Sequence, residues 1–476
     1  MVTTRAKQKT MVDVNPRRSV ADRATTGKEA RRLVPRSSQA QLPDPVAGRD
    51  PVALLREQDA TREPDLVPVR HGRMMLSPFT FYRGAARLMA HDLKGTPRAG
   101  LQVQLCGDAH LSNFGLFASP ERTLLFDLND FDETLPGPFE YDVKRLAASF
   151  SIAGRNNGFT DTDCRAAASQ TATAYRNAMA EYAGMKTLDI WYSRIAVDDI
   201  VTLLQQAATK KQMARVAKTV DRARLHDSTQ ALAKLGEMVD GTYRIASQPP
   251  LVVPVRDISH TFGLDPGAVN EAVRTQLHSY RTTLPPERAQ LIDRFEIVDV
   301  ARKVVGVGSV GTRAFIALLE GRDQQDPLFL QVKEATRSVL EEHLPRSVYR
   351  NHGERVVVGQ RMMQAASDIF LGWTHGLDEN RHFYWRQLRD MKGAVDVERL
   401  VPAGLATYAR ICGWALARAH ARTGDPIAIS AYLGRSDTFD RAITEFSARY
   451  ADRNEQDYEA FRKAIDSGAL EARQGV

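Results

Sequence analysis

The stretch Leu101-Gln-Val-Gln-Leu-Cys-Gly-Asp-Ala-His-Leu-Ser-Asn113 joins a strand pattern to a loop rich in polar side chains. Its first five residues alternate between apolar and polar, which predicts a half-buried strand. A loop at the end of a strand is a common place for reactive side chains, because the rigid strand fixes their position. We therefore expect residues 107–113 to carry chemistry, with Asp108 and Asn113 as its main groups.

A second group of acids follows this loop after a short apolar stretch, Thr123–Phe126. A hairpin would bring both groups to one place, and carboxylate and amide oxygens suit a hard cation such as Mg²⁺. The candidate metal ligands are Asn113, Asp130, Asp127 and Asp132. Two alternatives stay open, an acidic turn that faces water and a metal-dependent phosphoesterase in which His110 is a ligand.

Gly306-Val-Gly-Ser-Val-Gly311 is a glycine-rich turn of the kind that lets backbone N–H groups approach a phosphate. In a dinucleotide fold such a turn opens a helix, and an acid follows about 20 residues later. In a protein kinase it links two strands, and a lysine lies on the next strand. Lys333 follows the strand-like Leu328–Val332. A tight hairpin without a ligand is the third reading.

The rest of the chain alternates between helical and strand-like stretches. Residues 140–245, 403–421 and 437–466 have helical periodicity, whereas residues 295–375 are rich in β-branched side chains. We read Arg355–Val358 as a strand. The pattern predicts an α+β protein with a small β-rich unit inside a mainly helical chain.

The net charge of +7 is confined to the N-terminal tail. Residues 1–40 hold ten basic and three acidic residues, so the remaining chain is neutral. We expect no specific binding of nucleic acid, and loose binding of anionic polymers by the tail is the functional alternative to a solvated leader. Three cysteines without a Cys-x-x-Cys pair, no long apolar run and no secretory signal predict a cytoplasmic protein that does not enter a membrane.

Together these motifs resemble the protein kinase-like superfamily, especially its aminoglycoside and choline phosphotransferase branch. Gly107–Asn113 is close to the catalytic loop of that branch, and Asp130–Asp132 is similar to its metal-binding motif. The glycine turn follows the catalytic loop here, which implies a circular permutation. The sequences of Met75–Gly84, Asn129–Glu133 and Tyr141–Leu146 also resemble those of the bacterial DUF2252 family. This resemblance covers about residues 60–470.

The resemblance implies an α+β, two-lobed, kinase-like fold in circularly permuted order, with a mainly helical large lobe and a small β-rich lobe. The implied parts are a disordered basic leader (1–50), the catalytic-loop half of the large lobe (51–290), the small nucleotide-binding lobe (291–375) and the remaining large-lobe helices (376–476).

Roles for individual residues also come from the resemblance. Asp108 would accept or orient the proton of the acceptor hydroxyl, Lys333 would pair with the nucleotide phosphates, and Asp142 would support the catalytic loop. Glu341 or Glu342 would hold Lys333. The residues expected to cover the phosphates are Gly306, Gly308 and Gly311. Arg73, Arg83 and His110 are candidates for substrate contacts, and Gln360–Gln364 is a candidate for the hinge that contacts adenine.

The implied activity is an ATP- and Mg²⁺-dependent phosphotransferase that acts on the hydroxyl of an unidentified small molecule. The alternatives are a catalytically inactive nucleotide-binding regulatory module, a nucleotidyl transferase on the same fold, and a dinucleotide oxidoreductase.

Overall fold

Alternating apolar and β-branched residues between 296 and 334 form strands of one sheet, whereas the alanine-rich stretches on either side form helices. The computed structural model describes residues 18–44, 48–205, 210–257, 266–304, 306–377, 380–388 and 390–475. The α+β class is therefore confirmed. In the described ranges, no helix is both long and apolar enough to cross a membrane.

Helices make up most of the described chain. The first five are α1 Val20–Leu33, α2 Pro51–Asp59, α3 Val67–Met74, α4 Pro78–Gly84 and α5 Ala86–Leu93. The next six are α6 Glu140–Asn156, α7 Asp161–Gly184, α8 Thr187–Tyr192, α9 Val197–Gln205, α10 Lys210–Leu225 and α11 Ser228–Leu235. The others are α12 Pro266–Arg281, α13 Pro286–Ile292, α14 His352–Met363, α15 Pro402–Thr423, α16 Pro426–Leu433 and α17 Thr438–Asp466.

The strands form one large sheet and three hairpins. The hairpins pair β1 Gln102–Leu105 with β4 Leu135–Pro138, β2 Phe114–Ala118 with β3 Leu124–Leu128, and β5 Gly236–Val239 with β6 Thr242–Ile245. The sheet contains β7 Val252–Pro254, β8 Glu296–Lys303, β9 Ala314–Glu320, β10 Pro327–Glu334, β11 Gly372–His375 and β12 His382–Gln387. Its antiparallel order is β11-β12-β10-β9-β8-β7, so it draws on residues beyond 291–375 at both ends.

The glycine turn joins two antiparallel strands of this sheet, β8 and β9. The next strand, β10, carries Lys333, which lies opposite Ala314 on β9 and Tyr384 on β12. Because β9 is a strand, the turn does not open a helix, and the spacing expected of a dinucleotide site is not met.

Two local predictions were wrong. Arg355–Val358 lies in helix α14, although three consecutive valines favour a strand. The side chain of Asn351 caps this helix by accepting the N–H groups of Gly353 and Glu354. Gln360 ends up inside the same helix, and Gln364 donates to the carbonyl of Leu128, so this segment is not an extended hinge.

The expectation of a disordered leader is also wrong within the described part of residues 1–50. Helix α1 packs against α16, where Arg23 forms a salt bridge of 2.8 Å with Asp425. Gln39 is fully buried and donates to the hydroxyl of Tyr432 over 2.9 Å. The charge composition did not indicate this packing, because the basic residues of α1 lie on a helix that contacts α16 through small residues such as Gly27.

Gly27 is the point of closest approach between α1 and α16. A Cβ atom there would lie 2.0 Å from the carbonyl oxygen of Ala428. In a free helix Gly→Ala stabilises by about 1 kcal/mol, but here overpacking is expected to reverse the sign. We expect Gly27→Ala to lower the free energy of unfolding by about 1–3 kcal/mol in urea titrations, while the exposed Lys28→Ala changes it by less than about 0.5 kcal/mol. A stabilised Gly27→Ala protein would contradict the packing of α1.

Candidate functional site

The loop at 107–113 is held in place by an acid of the following helix. The carboxylate of Asp142, on α6, accepts the N–H groups of Cys106 over 2.7 Å and of Gly107 over 3.0 Å. This is the supporting role that the sequence predicts for it. Gly107 has φ of +85°, and a Cβ atom would lie 2.2 Å from the carbonyl of Glu133, so only glycine fits.

Asp108 is partly exposed, and one of its two carboxylate oxygens is paired with Arg145. Its Oδ1 accepts from Nε of Arg145 over 2.8 Å and lies 2.6 Å from Nη2 of the same side chain. Its Oδ2 lies 3.8 Å from Nε2 of His110. Burial, followed by the charges of Arg83 and Arg145, holds the pKa of His110 well below its ordinary value. His110 is therefore neutral, and its Nδ1 accepts the N–H of Ser112.

Arg145 is a site residue that the sequence reading missed. It lies three residues after Asp142 on one face of α6, which is the spacing that could have revealed it. Burial disfavours its charge, but the charge of Asp108 outweighs this and raises the pKa of Arg145. The pair therefore fixes the rotamer of Asp108 and keeps Oδ2 directed away from Arg145.

Lys333 binds both acids of the Asp130–Asp132 segment. Its Nζ lies 2.7 Å from Oδ2 of Asp132 and 3.6 Å from Oδ2 of Asp130. The hydroxyl of Tyr384 donates to the other oxygen of Asp132 over 2.7 Å. Burial works against the ammonium, but the two carboxylates outweigh it and raise the pKa of Lys333 above its ordinary value.

The two acids titrate differently because they have different neighbours. Burial and then the charge of Asp132 raise the pKa of Asp130. Burial also tends to raise the pKa of Asp132, but the charge and hydrogen bond of Lys333 outweigh burial and lower that pKa. Asp130 is thus the acid whose charge needs a further cation. Glu133, next in the chain, has a pKa raised to about 7 by burial, and it accepts the N–H of Val339.

Asp127 does not belong to this group, contrary to the sequence prediction. It is 1% exposed and pairs with Nη2 of Arg418 over 2.6 and 2.7 Å. It also accepts the N–H of Ala365 over 2.9 Å. Since these partners occupy both oxygens inside the helical body, Asp127 has a structural role and does not face a metal site.

Glu341 does not hold Lys333 either. Residues Val339–Glu342 form one 3₁₀ turn, in which Glu341 lies 3.4 Å from Nε of Arg337. Glu342 pairs with Arg87 over 2.8 Å. The turn follows β10 too closely to bring either side chain back to the lysine.

The glycine turn rests on the N-terminal helices. The guanidinium of Arg73 donates to the carbonyl of Gly306 over 2.6 Å, and the N–H of Glu63 donates to that of Gly311 over 2.7 Å. Arg62 donates to the carbonyl of Val310. A Cβ atom on Gly308 would lie 3.0 Å from the carbonyl of Arg83. Close backbone approach, which glycine permits, therefore fixes the turn over the cleft.

One cavity of about 350 Å³ connects these parts. Its walls come from the loop at residues 107–113, the acidic segment at residues 130–133, the glycine turn, the N-terminal helices and residues 334–342. Among the residues that line it are Asp108, Asn113, Asp130, Asp132, Glu133, Gly308, Ser309, Arg62 and Arg83. Lys333 lies behind Asp132. The structure thus brings four of the predicted polar groups together with the glycine turn.

The residues in the cavity fit a magnesium ion that keeps water and phosphate ligands. Asn113 donates its amide N–H to the carbonyl of Asp108 over 2.5 Å, and its amide oxygen accepts no hydrogen bond from a described residue. Asp130 has a raised pKa, which a cation would counteract. In the described chain, no three His, Cys, Asp or Glu side chains lie close enough to form a complete protein cage. Mg²⁺ commonly needs only one or two such ligands.

Comparison with known proteins gives a family and no function. No curated protein and no solved structure matches the chain. Residues 62–464 match a family described as an uncharacterized protein conserved in bacteria, DUF2252. The match includes the loop at residues 107–113, the glycine turn and Lys333. The chain therefore belongs to the DUF2252 family.

Proposed function

We propose that the protein is an ATP- and Mg²⁺-dependent phosphotransferase that acts on the hydroxyl of a small molecule. The observation that carries this proposal is the position of Lys333. It lies on β10, the second strand after the glycine turn, and binds Asp130 and Asp132, which line a cleft together with Asp108. Phosphoryl transfer depends on positioning and on neutralising charge, and this group supplies both.

The sheet supports a kinase-like arrangement in permuted order. A glycine turn between two antiparallel strands, with a lysine on the third, is the pattern of protein kinases. The carboxylate partner of the lysine differs, because Asp132 takes the position that a helix glutamate has in those enzymes. The cavity volume of about 350 Å³ favours a small acceptor.

Each residue then has a chemical task. Oδ2 of Asp108 accepts the proton of the acceptor hydroxyl, while Arg145 holds the carboxylate in position. The backbone of Gly308 and Ser309 lies beside the nucleotide phosphates. Asn113 and Asp130 would hold Mg²⁺, which supplies charge neutralisation at the phosphates when bound. Lys333 keeps Asp132 ionised and fixes the acidic segment.

Nucleotide binding gives the direct test. At an MgATP concentration 100-fold above Kd, ligand linkage is expected to add about 2.7 kcal/mol to the free energy of unfolding. Asp130→Ala should abolish the resulting rise in Tm, because it removes the carboxylate that needs a cation. Asp452→Ala, at an exposed carboxylate, is the matched control and should keep the rise. A wild-type Tm that does not change with millimolar MgATP would refute the proposal, and binding without turnover would favour the regulatory module.

A further inference from the structure

The charged side chains that line the cavity are almost all paired. Arg87 bonds Glu57 over 2.7 Å and Glu342 over 2.8 Å. The remaining pairings are Arg337 with Glu341, Glu334 with Arg313, Asp108 with Arg145, and Asp132 with Lys333. Arg62 donates to the carbonyl of Val310 and lies 3.8 Å from Asp59. These pairs neutralise the walls without a ligand.

Among the arginines that line the cavity, Arg83 is the exception. Its guanidinium forms no hydrogen bond or ion pair with any residue that the structure describes, and its Nε is buried without a partner. Burial lowers the pKa of Arg83, although an arginine stays protonated in proteins. The side chain is only partly exposed, so its charge is incompletely hydrated, and a bound anion would offset that cost.

The position of Arg83 indicates which anion. Its backbone carbonyl lies against Gly308, at the tip of the glycine turn. The charges of Asp108, in the loop at residues 107–113, and of Glu398 favour its protonated form, and its own charge lowers the pKa of His110. Arg83 therefore lines the cavity beside the glycine turn, which is expected to cover the phosphates, together with Asp108 on the side expected to hold the acceptor. The transferred phosphoryl group must lie between these two sides.

We propose that Arg83 contacts the γ-phosphoryl group during transfer and stabilises the charge on its equatorial oxygens, as an arginine supplied by the same chain. This inference rests on the proposed function. In the step, the acceptor oxygen forms a bond to the γ-phosphorus, and the bond from that phosphorus to the β–γ bridging oxygen breaks. ADP leaves with the electron pair, and the hydroxyl proton goes to Asp108. An arginine in this position is worth about 10³–10⁵ in turnover.

The test needs no knowledge of the acceptor. Calorimetry would compare the Kd of MgADP alone with that of MgADP plus aluminium fluoride, which mimics the phosphoryl group in flight. We expect Arg83→Ala to leave the Kd of MgADP unchanged and to weaken the fluoride complex about 10³-fold. Arg83→Lys should recover part of this loss, because it restores the charge without the planar fork. Arg449→Ala, at an exposed arginine outside the cavity lining, is the control and should change neither Kd.

The outcomes separate this inference from the proposed function. A wild-type protein that binds no MgADP refutes both. A wild-type protein that binds MgADP, together with an Arg83→Ala variant that binds the fluoride complex as tightly, refutes the inference alone. Equal weakening of both ligands in Arg83→Ala would place the arginine on the ADP phosphates and would also overturn it. Unfolding curves of Arg83→Ala and Arg83→Lys should match the wild type, because Arg83 forms no hydrogen bond or ion pair with a described residue.

Discussion

Asp127→Ala is expected to lower the free energy of unfolding by about 3–5 kcal/mol, because it leaves the buried Arg418 without its counter-ion. Both side chains are at most 1% exposed, so water cannot replace the lost carboxylate. The N–H of Ala365 would also lose its acceptor. Urea titration monitored by circular dichroism measures the change.

An exposed ion pair provides the control for Asp127→Ala. Arg155 and Asp452 are separated by 2.8 Å, but their side chains are 26% and 61% exposed. Removal of that pair by Asp452→Ala should cost no more than about 1 kcal/mol. An Asp127→Ala protein as stable as the wild type would mean that Asp127 is not the structural acid described here. Asp127 would then again be a candidate metal ligand.

Asp108→Asn is expected to reduce the release of phosphate from MgATP by about 10²–10⁴-fold, the usual contribution of a positioned general base. Water takes the place of the unidentified acceptor in this assay. The amide keeps the shape of the carboxylate but accepts no proton, so chemistry is lost while the cleft is kept. Single-turnover measurements with saturating enzyme separate the chemical step from binding.

Binding of MgADP is the control for Asp108→Asn. Its Kd should not change, since the base lies on the acceptor side of the cleft. A variant that loses MgADP binding has lost the arrangement of the loop through Arg145. A variant with wild-type turnover would show that Asp108 is not the base.

Local sequence patterns predicted the elements that carry the site. The alternation of residues 101–105 and the apolar run before Asp127 became β1 and β3, and residues 403–421 became α15. These patterns are short-range, so the sequence displays them directly. The strand prediction for Arg355–Val358 was wrong because a helix cap at Asn351 and burial against the sheet overrode the β preference of three valines.

The sequence predicted most polar residues of the candidate site, but it did not predict which charged side chains pair with each other. Asp108, Asn113, Asp130 and Asp132 line one cavity, as their spacing along a hairpin indicates. Asp127 is an aspartate in the same acidic stretch of the sequence. Only its contact with Arg418, 291 residues away, distinguishes it from the acids that line the cavity. Arg83, a candidate from the sequence, lines the same cavity, whereas Arg62 reaches it through its distant contact with Val310, which no local pattern records.

The distance along the chain between Asp127 and Arg418 also determines when the protein can fold during synthesis. At ordinary rates of translation, about 15–60 s pass before the ribosome adds the arginine that neutralises this carboxylate. Until then, burial of Asp127 would leave an unpaired charge in the core, so the nascent helical body cannot close around its acidic hairpin. Folding is therefore completed only when helix α15 has emerged, late in translation.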